Sequence, residues 1–574
     1  MANFDILIRR GTVVDGTRGE RRIADVAISG GKIARIGDLG DVSAETVIDA
    51  EGLIVAPGFI DTHTHYDAQI FWDPYCTATS WHGVTTLQMT NCGFGLAPLP
   101  NELHERGMQM MTRTEQIALD TMRAGVPYDW QTYPEFLDSL RRTPKGVNVA
   151  SYFPLNPALF WVMGAEEVKK RLPNDDEVRQ LQAMLGEAID AGALGMSWTS
   201  MGGHNNHTDF DGSQLPTEYL PQETVAAMAS VLRDRGRGLI QILTRYGDFG
   251  KDKAVAEAVA TAAQRPVLYN AIVAAVDFGE GGASAQMKWL DECGAAGIPV
   301  YGQGGINRNW LEYTMEDFNL FDIVPVWAEA AVGDAENRKK NFSDPAIRAE
   351  MKKPENFDDI DWLLAGLGPQ KAIVVNVRDN AELKKYEGRV VDEIAAEEGR
   401  HPVDVFLDIA CATDLTAEFR TLFPTSWNHE EAGAIARHPR VALGVSDGGA
   451  HGHMFNGTAW PTETLAWLVR DTGQMELEEA HYKLSAFPAE LAGYRDRGTL
   501  EEGKAADVVV YDLENLAATP EFAYETLYDQ PAGEFRKVQR AEGYRWIIVN
   551  GQITFIDGKA TGNHSGQVLS SEPV

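Results

Sequence analysis

Short apolar runs alternate with helical stretches through the middle of the chain. The apolar runs are Val55–His63, Val84–Asn91, Val147–Phe153, Ala193–Thr199, Leu239–Thr244, Val267–Ile272, Ile298–Gln303 and Val441–Ser446. The clearest helical pattern covers Asp175–Ala191, with Asn174 as its start signal and Gly192 as its stop. Eight strands that alternate with helices predict an α/β fold, a (β/α)8 TIM barrel, and place the active residues just after the strand ends.

The two chain ends have a different pattern, one of short strands punctuated by glycine. Residues 4–55 read this way, and the same texture returns at Asp507–Tyr511 and Trp546–Phe555. Asn550-Gly551 is a hairpin turn signal. We therefore expect a small β-sandwich domain built from residues 1–55 and 496–574, around a barrel of residues 56–495. Two unrelated caps are the alternative.

The gap between the seventh and eighth strands is too long for one crossover. Residues 304–440 must hold an insertion, which we place at about 305–370 because aromatic residues are dense there. These are Trp310, Tyr313, Phe318, Phe321, Trp327 and Trp362.

Composition and charge limit the classes of function. The chain has 574 residues, of which 44% are hydrophobic and 24% charged, as in a globular protein with a large interior. The net charge of −33 argues against nucleic acid or an anionic membrane as partner, since a negative field repels phosphates. A solvated acidic surface is the plain explanation for that charge. Whether copies of the chain form a homo-oligomer is left open.

Compartment signals favour the cytoplasm. The first residues lack a basic and apolar leader, and no run approaches the roughly 20 apolar residues of a membrane span. Four cysteines in so long a chain form no disulfide framework.

Two histidines follow the first barrel strand. His63 and His65 lie two residues apart, so on a strand both imidazoles project from the same face. Side-by-side imidazoles are typical of a metal site. A lone His-x-His pattern is weak evidence, and the residues after the neighbouring strands strengthen it.

Cys92 follows the second strand and Asp447 the eighth. Cys92 is either a thiolate ligand or a small buried core residue. Asp447 is either a metal ligand and general base or the start of a turn. Barrel closure brings strand eight beside strand one, on the side opposite strand two. The histidine pair, Cys92 and Asp447 therefore converge, which favours a site.

Together these segments resemble the amidohydrolase superfamily, and within it the N-acyl-D-amino-acid deacylases, or D-aminoacylases. The resemblance is carried along nearly the whole chain by residues 56–67, 82–86, 91–93, 192–195, 446–448, 503–512 and 561–569. It implies a bound divalent metal, usually zinc, and hydrolysis of a carbon–nitrogen bond. It also implies that His63, His65 and Cys92 are metal ligands and that Asp447 is the catalytic aspartate.

The chain departs from that family at two strands. The family has a metal-binding histidine after strand five and another after strand six, whereas Gln241–Arg245 and Val267–Asn270 stand here. No histidine lies between His207 and His401. We therefore expect one zinc ion rather than two, held by His63 and His65 with Asp447, and Cys92 as a ligand or a pocket thiol.

Other polar residues near strand ends are candidate substrate contacts. They are His204 and His207 after strand four, Arg245 after strand five, Asn270 at the end of strand six, Tyr301 in strand seven, and His453 beyond Asp447. Arg245 has the planar fork that clamps a carboxylate, and a structural salt bridge is its alternative role. Solvated surface histidines are the alternative for His204 and His207.

The leading hypothesis is metal-assisted hydrolysis of an N-acyl amino acid or a related small amide. Asp447 would take the proton of the attacking water and pass it to the leaving nitrogen. Hydrolysis of a cyclic or aromatic amide is a second hypothesis. A third is a non-catalytic barrel that has lost its metal site and serves as a scaffold.

Overall fold

The computed structural model describes residues 4–202, 205–245, 248–274, 282–308, 310–316, 319–357, 368–421, 427–454, 457–521 and 523–573. In chain order the strands are β1 Phe4–Val13, β2 Arg22–Ser29, β3 Lys32–Gly37, β4 Ala44–Asp49, β5 Ile54–Pro57, β6 Phe59–Thr64, β7 Val84–Met89, β8 Asn148–Pro154, β9 Gly195–Ser200, β10 Leu239–Thr244, β11 Val267–Val273, β12 Val300–Gly305, β13 Glu312–Tyr313, β14 Ile373–Asn376, β15 Glu418–Arg420, β16 Val441–Leu443, β17 Val508–Tyr511, β18 Ala517–Thr519, β19 Glu525–Leu527, β20 Arg536–Val538, β21 Arg540–Glu542, β22 Tyr544–Val549, β23 Gln552–Ile556 and β24 Lys559–Ala560.

The helices begin after the second barrel strand. In chain order they are α1 His104–Glu115, α2 Leu119–Gly125, α3 Tyr133–Arg142, α4 Leu155–Met163, α5 Asp175–Ala191, α6 Gln222–Arg235, α7 Phe249–Ala263, α8 Ala283–Ala295, α9 Pro325–Ala330, α10 Ala335–Ser343, α11 Pro345–Met351, α12 Val391–Glu398, α13 Pro402–Cys411, α14 His429–Arg437, α15 Trp460–Glu463, α16 Leu477–His481 and α17 Phe487–Ala492. Two π-helical segments, Thr464–Asp471 and Tyr482–Ala486, continue α15 and α16.

Eight parallel strands form the barrel. The order is β6-β7-β8-β9-β10-β11-β12-β16, and each neighbouring pair is parallel. A parallel bridge between Thr64 and Gly448 links the two ends of this sheet beyond β6 and β16. The strands are those predicted from the apolar runs, and the predicted TIM barrel is confirmed. Their carboxyl ends meet at one mouth.

Helix α5 shows how local sequence sets an element. The Asn174 side chain accepts hydrogen bonds from the backbone of Asp176 and Glu177, and Glu177 closes the capping box. Gly192 ends the helix in the left-handed region at φ 113°, where a side chain would be strained. The bounds agree with the predicted Asp175–Ala191.

A separate nine-stranded sheet is built from both chain ends. Strands β1 to β5 join β17, β22, β23 and β24 in this sheet, with β5 paired to both β1 and β17. The β22–β23 hairpin turns at Asn550 and Gly551, both at positive φ, as the turn signal predicted. The predicted domain made from the two ends is thus present as a sheet.

The chain crosses from this sheet to the barrel within one residue. The first predicted barrel strand, Val55–His63, is two strands: β5 pairs in the outer sheet and β6 starts the barrel. Gly58 lies between them, and a Cβ there would come within 2.3 Å of the Thr85 side chain. This close approach requires glycine, so the break is a packing effect that the apolar run does not reveal.

The segment between β12 and β16 has a core of its own. Strands β13, β15 and β14 form a small antiparallel sheet, and a cluster of buried apolar side chains runs from Leu311 to Phe419. This cluster continues well past the predicted bounds of 305–370. Helices α12 and α13 lie in the extension, and their amphipathic pattern is indistinguishable from that of a barrel helix.

Among the described residues, no helix is both long enough and apolar enough to cross a membrane.

A buried carboxyl group holds the loop after β9. Glu218 is 6% exposed, and its Oε2 accepts hydrogen bonds from the backbone N–H groups of Met201 and Gly202 at 2.5 and 3.0 Å. Burial raises the pKa of Glu218 to about 8, which those hydrogen bonds only partly oppose.

We expect Glu218→Gln to make stability less dependent on pH. The unfolded carboxyl ionises near its ordinary pKa of 4.5 and the folded one near 8, so wild type loses stability as pH rises through this window. The glutamine cannot ionise, so at pH 8.5 the free energy of unfolding of the variant should exceed that of wild type by roughly 4–5 kcal/mol. Thermal midpoints of both proteins between pH 5 and 8.5 measure this, with exposed Glu223→Gln as control. Parallel midpoint curves for wild type and Glu218→Gln would contradict it.

Candidate metal centre

Three ligand-type side chains meet at the mouth of the barrel. His63 is in β6, His65 follows that strand, and Cys92 lies in the turn after β7. Their exposed fractions are 1%, 2% and 4%, and their ligand atoms all lie within 4.8 Å of one another. In the part of the chain that the structure describes, this is the one such group of three or more His, Cys, Asp or Glu.

Asp447 stands against the two histidines. Its Oδ1 is 3.3 Å from His63 Nε2 and 3.6 Å from His65 Nε2, while Cys92 Sγ is 3.4 Å from His63 Nε2. Asp447 has a left-handed backbone at φ 49°, and its N–H donates to the carbonyl of His63 at 3.2 Å. This backbone strain is maintained at a strand end, as is common at functional sites.

The charges of the four groups support one another. Burial lowers the pKa of His63, but the Cys92 thiolate and the Asp447 carboxylate raise it more, to about 9. Burial opposes ionisation of Cys92, yet the two imidazoles lower the pKa of its thiol. In the same way, His65 and His63 hold the pKa of Asp447 below its ordinary value in spite of burial. The Cys92 thiolate and the Asp447 carboxylate thus face two imidazoles that can carry positive charge. A divalent cation would supply the same positive charge.

The donor set fits a zinc ion. Ligand atoms of one tetrahedral zinc lie roughly 3.3–3.8 Å apart, given typical Zn–N and Zn–S bond lengths. The Cys92–His63 distance of 3.4 Å is within this range. Two imidazole nitrogens and a thiolate are ligands that favour zinc, whereas magnesium and calcium favour oxygen ligands.

Two buried glutamines, one in strand five and one in strand seven of the barrel, hold the ligands in place. His63 Nδ1 is 3.1 Å from Gln303 Oε1, and the Gln303 amide donates to the carbonyl of Thr62 at 3.0 Å. This fixes the amide so that Oε1 accepts from Nδ1–H, which leaves Nε2 of His63 with its lone pair toward the centre. Gln241 Oε1 accepts from the Cys92 N–H at 2.6 Å. The strand-five and strand-seven amides therefore orient ligands, a role that the sequence did not indicate.

Three of the predicted substrate contacts lie in or after neighbouring barrel strands. His207 is half-buried, and desolvation together with the charges of His451 and His65 lowers its pKa to about 3, so its imidazole is neutral. Asn270 is 9% exposed, and its Oδ1 has no hydrogen-bond partner among the described residues. Arg245 directly follows β10 and is exposed. His204 lies outside the described residues.

His453 and a cavity mark the access to Asp447. A small, partly open cavity of about 50 Å³ is lined by Asp447, His453 and residues of the segments 116–121 and 530–537. The His453 ring stacks on Phe535, with ring centroids 4.2 Å apart. Asp447 has a side chain that is 28% exposed, far more than those of His63 and His65, so the centre opens on this side.

The prediction for Tyr301 is wrong. This residue is the second of β12 and points into the barrel one layer below Gln303, at the end away from the mouth. Its ring packs against Phe487 at 6.0 Å and under the Arg440 guanidinium at 4.4 Å. The strand begins later than the apolar run suggested, so Tyr301 belongs to the floor of the barrel.

Two features of the site have no signal in the sequence. Glu115, the last residue of α1, is buried beside His65, and segment 530–537 reaches the cavity from between β17 and β22. A glutamate at a helix end and a short loop in a β-rich tail both look like ordinary surface. Only the three-dimensional packing brings them to the barrel mouth.

Comparisons with known proteins agree with this geometry. The amidohydrolase family model matches residues 46–128 and 378–555. D-aminoacylase of Alcaligenes xylosoxydans xylosoxydans is 27% identical over 572 residues, which cover 99% of this chain and 98% of that protein. The chain resembles amidohydrolases along nearly its whole length. The two matched segments of the chain contain His63, His65, Cys92 and Asp447.

Two solved structures of other proteins share the fold along nearly the whole of this chain. A D-aminoacylase described with a binuclear metal centre aligns with a TM-score of 0.67 and 24% identity, covering 99% of this chain and 100% of that one. The N-acyl-D-glutamate deacylase of Bordetella bronchiseptica, complexed with zinc and a phosphonate inhibitor, aligns with a TM-score of 0.66 and 23% identity, covering 99% of both chains. The predicted D-aminoacylase-like assignment is confirmed, and these relatives favour neither the cyclic or aromatic amide nor the scaffold hypothesis.

Proposed function

We propose that this protein cleaves the amide bond of an N-acyl amino acid or a related small amide, with one bound zinc ion. The observation that carries the proposal is the convergence of His63, His65 and Cys92 with Asp447 at 3.3 Å from His63 Nε2. A nitrogen and sulfur donor set beside an accessible carboxylate is the arrangement that metal-assisted hydrolysis needs.

Three side chains of the site would bind the metal ion, and a fourth would transfer protons. His63, His65 and Cys92 would hold the ion, and Asp447 is placed at the exposed side of the two imidazoles. When bound, a zinc ion lowers the pKa of a coordinated water to about 7 and polarises the substrate carbonyl. The Asp447 carboxylate is ionised in the neutral range and open to the cavity, and it would accept the proton of the attacking water. The same carboxyl then delivers that proton to the leaving nitrogen.

Neutral and cationic groups around the mouth would bind the substrate. The buried Asn270 Oδ1 would accept from a substrate N–H; it has no hydrogen-bond partner among the described residues, and a buried acceptor without one costs about 1–3 kcal/mol. His207, which is neutral, would donate a hydrogen bond without adding charge. Arg245 at the end of β10 suits a carboxylate of the amino-acid portion.

A screen of N-acyl amino acids tests the function. We expect release of free amine from N-acetyl derivatives of D-amino acids, because the relatives that span the chain are named for D-substrates. The L-series should be slower by at least about tenfold, since a fixed pocket distinguishes mirror images by more than 1.4 kcal/mol. Wild-type enzyme loaded with zinc is compared with chelator-treated enzyme. Turnover of cyclic amides alone, or turnover unaffected by removal of metal, would contradict the proposal.

A further inference from the structure

Glu115 places a buried carboxylate behind one of the ligands. It is 2% exposed, its Oε1 lies 3.7 Å from His65 Nδ1, and its Oε2 lies 3.5 Å from His451 Nε2. A carboxylate is costly to bury unless it faces cations or donors. Both carboxylate oxygens of Glu115 face imidazole nitrogens, so each buried oxygen has its own partner.

The two nitrogens of His65 face different groups. Nε2 points to Asp447 at 3.6 Å, toward the centre. Nδ1 is buried and has no hydrogen-bond partner within normal distance among the described residues, and Glu115 Oε1 is the carboxylate beside it. A small approach of Glu115 would let it accept from Nδ1–H, which would leave the Nε2 lone pair free to bind a metal.

We propose that Glu115 is a positioning residue for the metal centre: its carboxylate sets the tautomer and orientation of His65, while His451 faces the other carboxylate oxygen. The inference rests on the proposed metal-dependent function. It gives His65 the same kind of support that Gln303 gives His63, but with a charged group that also makes the imidazole a stronger ligand.

The surroundings hold Glu115 in place. The His451 N–H donates to the Glu115 carbonyl at 2.7 Å, and His451 Nδ1 is 3.1 Å from Gln116 Oε1. Asn319, from the insertion between β12 and β16, donates to the carbonyls of Arg113 and Thr114 at 2.9 and 3.3 Å. The end of α1 is thus fixed from the β16 loop and from the insertion, so the insertion anchors the helix end that carries Glu115.

Metal affinity of Glu115 variants tests the role. We expect Glu115→Ala to weaken zinc binding by about 10–100-fold and Glu115→Gln by less, because the amide oxygen can still accept from Nδ1–H. The dissociation constant is measured by competition with a chromophoric chelator, and Co²⁺ absorption spectra report the ligand geometry. Glu105→Gln on the same helix, with a side chain 45% exposed, is the matched control and should bind as wild type.

Each outcome decides between the proposals. Zinc affinity within twofold of wild type and an unchanged Co²⁺ spectrum in both folded variants would overturn the role of Glu115 and leave the proposed function intact. A wild-type protein that binds no zinc would overturn both. If the Glu115 variants do not fold, Asn319→Ala loosens the end of α1 and leaves the Glu115 side chain in place. Severalfold weaker zinc binding is then expected, and unchanged binding would count against the inference.

Discussion

Replacing Asp447 by Asn is expected to lower kcat/KM by about 10²–10⁴-fold, while the fold and the metal content persist. The asparagine keeps the size of the side chain and can keep one oxygen near His63 and His65, but it cannot accept a proton. Because the pKa of Asp447 is held below its ordinary value, the wild-type residue is ionised throughout the neutral range. The loss should therefore appear in kcat rather than in KM.

A matched control separates proton transfer from loss of a charge pair. His438 and Asp291 form a pair at 3.3 Å, the same distance as His63 and Asp447, outside the site. Asp291→Asn should leave kcat/KM within about twofold of wild type, since exposed pairs contribute little. Measured hydrolysis by Asp447→Asn above about a tenth of the wild-type rate, with normal metal content, would exclude Asp447 as the base.

The fold could be predicted from sequence wherever local signals and tertiary packing agree. Helix α5 has its cap, its apolar stripe and its terminating glycine in the right order, and the structure places it where these signals do. The break at Gly58 depends on Thr85, which lies 27 residues further along the chain, so an apolar run gives no warning of it. The extent of the insertion is hidden for a related reason. An amphipathic helix buries the same stripe against any core, and α13 packs on Phe419 and Phe321 rather than on the barrel.

The candidate site was predictable where ligands follow strand ends. The four residues lie at a barrel strand end or within four residues after one, and the closure of the barrel makes them neighbours: His63, His65, Cys92 and Asp447. The alternation along a strand predicts the face on which Tyr301 lies. It does not predict the height of Tyr301 in the barrel, because that height depends on the residue at which the strand begins. Glu115 was missed because it lies at a helix end and reaches the site only through the packing of α1.

The loss of the two family histidines changes what kind of centre the chain can build. At the inward positions of strands five and six stand Gln241 and Asn270, whose amides are weak ligands beside imidazole or thiolate. The remaining strong donors, His63, His65 and Cys92, form a single group, which favours one ion. The glutamine at strand five instead binds the backbone of Cys92 and so helps to present the thiolate.

Metal content per chain should therefore depend on this one group. Wild type purified in the presence of zinc is expected to carry about one ion, and the double variant His63→Ala with His65→Ala should carry none, because two of three strong donors are removed. Cys92→Ser should weaken binding by at least about tenfold, since a serine hydroxyl is not deprotonated as the thiol is. Elemental analysis and chelator competition measure both.

The control for this experiment is a buried histidine elsewhere in the barrel. His82 is fully buried and hydrogen-bonded to Thr462 and to the carbonyl of Gln539. Among the described residues it belongs to no group of three or more ligand-type side chains. His82→Gln should therefore change stability without changing metal stoichiometry. Wild-type protein that takes up two ions would show that further donors, such as Asp447, complete a second site. Protein that takes up none, with the three donors intact, would overturn the proposed metal-dependent function.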